Sequence, residues 1–162
     1  MRITEGALHR IIKEGLDKDH DHAVSRMLDM DSWTFDQTPA GWRSLPPELQ
    51  IDAIKAYIEG PLRRPARPSK SGKQVDKSTI IWHLGQVLAI RGDPGDKAQA
   101  VRWMKRSKNP DDDQWNNYID ATIAFLEDDR TAFEEHASGE NYNSFTLGRL
   151  RSGWGEPYSQ AY

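Results

Sequence analysis

Asp19-His20-Asp21-His22 is the densest run of potential metal ligands in this chain, setting imidazoles beside carboxylates in a combination that suits zinc or a related ion. On a helix, however, His20 and His22 lie two positions apart and diverge instead of sharing a face. The spacing favours a charged, solvated helix start. Asp111-Asp112-Asp113 lacks the spacing and the glycine of a calcium loop, and it precedes a helical pattern, so N-capping and dipole compensation account for it. Glu127-Asp128-Asp129 reads the same way at a hairpin turn. His9, His83 and His136 stand without the Ser-His-Asp or similar spacing that general-base catalysis uses, and they read as structural or surface residues. These motifs lead us to expect no catalytic residue, no cofactor and no metal.

The strongest local charge lies at 61–77, where Arg63, Arg64, Arg67, Lys70, Lys73 and Lys77 face a single acid, Asp76. A flexible cationic strand of this kind binds phosphate backbones or an acidic protein. Nucleic-acid strands usually also need interleaved aromatics for stacking, and this loop has none, so a solvated linker is the plainer reading. Aromatic residues are the other feature: Trp33, Trp42, Trp103, Trp115 and Trp154 are the kind of side chain that anchors interfaces. Trp103 is the best placed for that role, because it neighbours a core position, Met104, and falls at the edge of the apolar stripe.

These residues sit in 162 positions that carry 22 basic and 25 acidic side chains, for a net charge of −3, and no cysteine. The near balance argues against bulk attraction to nucleic acid or to a membrane surface. Lack of cysteine removes disulfides, thiolate zinc sites and thiol nucleophiles together, and fits a reducing cytoplasm. Met1-Arg2 places a charge where a signal peptide needs apolar residues, and no apolar run approaches the ~20 residues of a membrane span. We therefore expect a cytoplasmic protein of one helical domain, 1–162, in which the basic loop 61–77 divides an N-terminal part (1–60) from a C-terminal part (78–162).

Helical spacing dominates, and nothing alternates cleanly as a half-buried strand would. Thr4 caps an expected first helix carrying Leu8, Ile11 and Ile12; Ala23, Val24, Met27 and Leu28 mark a second. Residues 31–45 read mostly as connecting structure. Pro46-Pro47-Glu48 opens a helix bearing Leu49, Ala53, Ile54, Tyr57 and Ile58. Beyond the loop, Asp76 or Ser78 starts a helix with Ile80, Ile81, Leu84, Val87 and Leu88. Ala98, Val101 and Met104 mark the next, and Trp115, Tyr118, Ile119, Thr122 and Phe125 the one after. A short helix around Phe133 follows, then a last one carrying Tyr142 or Phe145, Leu147 and Leu150, before the turn Gly153-Trp154-Gly155-Glu156-Pro157-Tyr158.

From Trp82 to Ser107 the chain resembles a tetratricopeptide hairpin. Trp82, Leu84-Gly85, the Gly92-Asp93 turn, and then Ala100, Met104 and Ser107 fill the family's roles, with Gly85 and Ala100 small where two helices approach closely. Pro94-Gly95-Asp96-Lys97-Ala98 lengthens the turn relative to that family. Trp115 to about Ala137 repeats the pattern without the small residue after Tyr118. The resemblance implies an all-α fold of stacked antiparallel helical hairpins, about seven or eight helices in an α-α superhelix, and a surface for peptides or partner proteins.

Three function classes follow. A non-catalytic protein-binding module, an adaptor or an inhibitor such as an immunity protein, would present Arg102, Trp103, Arg106, Asn116 and Asn117 to another protein or peptide. A nucleic-acid-binding protein would instead use Arg63, Arg64, Arg67, Lys70 and Lys73. An enzyme would need dispersed acids and histidines, His83 or His136 among them, to converge in a pocket.

Overall fold

The computed structural model describes residues 20–60, 72–139, 141 and 143–162. Its described residues contain helices and turns and no strand, as the spacing leads one to expect. They gather into two compact units, one up to Val75 and one from Asp76 onward. The helix expected from Thr4, Asp19, and the loop cations Arg63, Arg64, Arg67 and Lys70 lie outside the described residues.

In the first unit, residues 20–28 are helical (α1). Then come α2 (Ser32–Gln37), a 3-10 turn at Trp42–Ser44, and α3 (Pro47–Glu59). The 31–45 stretch, expected as connecting structure, is therefore more helical than expected. Asp31 makes α2 by accepting the Thr34 N–H at 2.9 Å and the Thr34 hydroxyl at 2.8 Å, a capping signal that works in one turn and leaves no periodicity to read. Phe35 is fully buried and stacks on Tyr57 of α3, with ring centroids 3.7 Å apart. Asp36, also fully buried, accepts from Trp42 Nε1 at 3.1 Å. Arg43 donates to the Asp36 carbonyl and lies over the Trp42 ring. The apolar stripe of α3 is buried as expected at Ala53, Ile54, Tyr57 and Ile58, and Ile51 joins it, while Leu49 stays half-exposed.

The second unit begins with α4 (Lys77–Arg91) and α5 (Asp96–Arg106), packed against each other as a hairpin. Asp76 caps α4 by accepting the Ser78 N–H at 2.7 Å. Gly92 ends the helix in the left-handed conformation, φ 68°, a geometry glycine adopts without strain. α4 is buried on most of its circumference, with Ile80, Ile81, Trp82, Leu84, Gly85, Gln86, Leu88 and Ala89 all inside. At Gly85, a Cβ would fall 2.6 Å from Met104 Cγ and 3.2 Å from the Ala100 carbonyl oxygen. The hydrogen at this position is thus what lets α5 lie so close.

The longer turn has its own brace. Asp96 is buried and receives two guanidinium bonds from Arg91, at 2.7 and 2.6 Å, together with the Asp93 N–H at 3.0 Å. That bidentate clamp fixes the turn and pins the start of α5 to the end of α4.

α6 (Asp113–Glu127) and α7 (Arg130–Ala137) form the next packed pair, followed by α8 (Ser144–Ser152) and the short α9 (Tyr158–Ala161). Asp112 caps α6 and Asp129 caps α7, through the N–H groups of Trp115 and Ala132, which is the role the acid runs were expected to play. Asp128 between them closes α6 at φ 62°, in the left-handed region where a Cβ is strained. Phe125, Phe133, Trp154 and Tyr158 pack edge to face beneath this pair. The closing turn therefore runs into a helix, and α9 packs on both α4 and α8. Other positions differ from the expected stripes. Ala98, expected beside Val101 and Met104, is exposed, and Ala100 takes the inner place on α5. Val87 is half-buried, and Phe145 is 80% exposed while Leu147 and Leu150 carry the α8 core.

Candidate functional site

The outer side of α5 is set by what its inner side must do. Ala100, Val101 and Met104 are buried against α4, so helical geometry turns Ala98, Arg102 and Arg106 outward, each about 6 Å along the axis from the last. All three are exposed, and Trp103 beside them is half-buried. The Arg106 guanidinium lies 4.3 Å from the centre of the Trp103 indole ring, a cation–π stack that holds both side chains in place. Among the described residues, no carboxylate pairs with Arg102 or Arg106. Lys105 by contrast reaches Glu127 of α6 at 3.9 Å, and Lys108 is held by Asp120 at 2.7 Å.

A cleft of about 450 Å³ runs beside the first turns of α5, lined by Gly95, Lys97, Ala98, Val101 and Glu127. Its floor is apolar, with Lys97 and Glu127 as the charged lining residues. The Ala98–Arg102–Arg106 line connects this cleft to the Arg–Trp stack, making one face with an apolar end and a cationic end.

The other residues expected at this face are placed differently. Asn116 is spent within the unit: its Nδ2 donates to the Asn109 carbonyl at 2.6 Å and its Oδ1 accepts the Asn109 N–H at 3.0 Å. It ties the loop before α6 to the helix and has little left for a partner. Asn117 is half-buried, with its amide nitrogen beside Gly139. Arg102, Trp103 and Arg106 are thus grouped on one helix, whereas the two asparagines serve the α6 side. Of the loop cations, Lys73 is described, and its ammonium sits 4.7 Å from the Trp33 ring centre within the first unit. Trp42 and Trp82 are core, while Trp33, Trp115 and Trp154 are half-exposed. Trp115 donates its indole N–H to the Ser107 carbonyl at 2.9 Å and packs on Trp82 and Tyr118.

The residues that drew attention as ligands or bases are separate. His20 lies 3.9 Å from Asp52 of α3, His22 is exposed, and His83 and His136 are half-exposed on different helices. Among the described residues, no group of three or more His, Asp and Glu side chains is placed to hold a metal ion, and no helix is long and apolar enough to cross a membrane.

Burial acts most strongly on phenols. Tyr57 is pushed up to about 12 by desolvation, reinforced by the carboxylates of Asp31 and Asp36. Burial also raises Tyr118 and Tyr158, whose hydroxyls lie with Tyr162 and Gln86 among α4, α6 and α9. These are neutral core groups that favour a protonated interior. The cleft at α5 was not legible beforehand, because Glu127 arrives from another helix and Ala98 reads as part of the apolar stripe. No family model, curated protein or solved structure matches the chain.

Proposed function

We propose that this chain is a non-catalytic protein-binding module, an adaptor or an inhibitor of the immunity-protein kind, that meets its partner through the outer face of α5. The observation that carries the reading is the Arg106–Trp103 stack beside Arg102, which has no carboxylate partner among the described residues. Trp and Arg supply most binding energy where they are present at interfaces. A stacked pair gives up less side-chain freedom on binding than two free ones would. The hairpin under it supports the same reading: Gly85 and the Arg91–Asp96 clamp make a rigid platform, and the resemblance to tetratricopeptide hairpins implies partner binding by such platforms.

Affinity capture of the tagged full chain from its native host, with and without nuclease, tests this directly. One stoichiometric protein that survives nuclease is the expected result. Partners that vanish with nuclease, or an empty eluate, would overturn it.

A further inference from the structure

Resting on that reading, we infer that the partner presents an acidic amphipathic helix to α5, seating an apolar side chain in the Gly95–Val101 cleft and carboxylates on Arg102 and Arg106. The face supplies the two halves of such recognition in line. At one end is the apolar cleft of about 450 Å³. At the other are Arg102 and Arg106, whose positions on α5 lie one helical turn apart, about 6 Å along the axis, matching the spacing of carboxylates at i and i+4 on a partner helix. The exposed cations of α5 are Lys97, Arg102, Lys105 and Arg106, and the one acid among the cleft residues, Glu127, already lies beside Lys105. Asp96, the helix's own acid, is buried in the Arg91 clamp and is turned inward. Charge complementarity therefore asks for a negative partner.

A nucleic-acid strand fits less well. It would bring no apolar group to the cleft and would set phosphates against Glu127. The two guanidiniums of this face also neutralise few phosphates, and backbone binding strengthens with the number of phosphates neutralised. Arginine's planar fork, on the other hand, binds carboxylates bidentately.

The test titrates the isotope-labelled full chain, followed by amide chemical shifts, with three probes. One is a glutamate–leucine peptide with leucines at i and i+4, the second is its lysine-for-glutamate twin, and the third is single-stranded oligothymidylate. The glutamate peptide should shift the amides of Gly95 to Ser107 and of Glu127. Arg102→Glu with Arg106→Glu should weaken it about tenfold or more, and Ala98→Glu should weaken it by closing the cleft with a like charge. All three sites are exposed and outside the core, so the variants should stay folded, with a melting temperature only a few degrees lower where the Arg106–Trp103 stack and the cation in the last turn of α5 are lost, and circular dichroism checks this. No shift along α5, equal binding of the lysine twin, or displacement by oligothymidylate would overturn the inference. If capture from the host still yields a protein that depends on Arg102 and Arg106 while the glutamate peptide fails, the binding-module reading stands and the acidic helix falls. If both fail, both fall.

Discussion

Replacing Gly85 with alanine asks whether the α4–α5 hairpin is built on close approach. In an open helix interior the change would stabilise by about 1 kcal/mol, because alanine loses less backbone freedom on folding. Here the new methyl carbon would lie 2.6 Å from Met104 Cγ, 3.2 Å from the Ala100 carbonyl oxygen and 3.3 Å from the Met104 nitrogen. The two latter atoms are backbone, so the helices must part; moving the fully buried Met104 side chain is not enough. Overpacking of this kind costs about 1–3 kcal/mol. With two backbone contacts involved, the upper half of that range applies, and the net loss should be about 1–2 kcal/mol. A unit of this size loses roughly 4–8 °C of melting temperature per kcal/mol. Urea titration and thermal melts followed by circular dichroism read both quantities. Met104→Ala removes one of the three contacts, so the double variant should lose less than the sum of the two single changes. A Gly85→Ala protein that is about 1 kcal/mol more stable, or strict additivity with Met104→Ala, would refute close packing as the reason for glycine at this position.

Three further outcomes are expected. Asp96→Ala removes the acceptor of two arginine bonds and one backbone N–H, and should cost about 2–3 kcal/mol in urea unfolding, less than a wholly buried pair because Arg91 is partly exposed and can rehydrate. Asp128→Gly relieves a left-handed Cβ and removes a carboxylate from the end of α6, and a thermal melt should show a gain of about 0.5–1 kcal/mol. Tyr57 is raised from 10.0 to about 12 in the fold, so its stabilising contribution is fully present below pH 10 and is lost as pH climbs toward about 12. Denaturation midpoints should hold steady up to pH 10 and then fall, with a smaller fall for Tyr57→Phe.

What was legible beforehand follows from the physical range of each signal. α3, α4 and α6 announce themselves through many periodic apolar residues and a local stop or start, such as Asp76 with its cap and Gly92 with its positive φ. α2 and α9 span six and four residues, too short to repeat the helical pattern that a sequence window reads, and they form because Phe35 and Tyr158 find buried partners elsewhere in the chain. At α8, Phe145 reads as a stripe residue beside Leu147 and Leu150, yet tertiary packing buries the two leucines and leaves the larger side chain outside. The candidate site divides in the same way. Arg102, Trp103 and Arg106 share a surface because they share a helix. The fate of Asn116 depends on a loop seven residues away, and the cleft depends on Glu127 from α6.

The most direct test of the account is the affinity of the captured partner for the full chain carrying Arg102→Glu and Arg106→Glu, beside the parent, with melting curves of both. The account predicts binding weakened by at least about tenfold in a protein that stays folded, its melting temperature lower by only a few degrees as the Arg106–Trp103 stack is lost. Unchanged affinity would show that the partner does not use the outer face of α5.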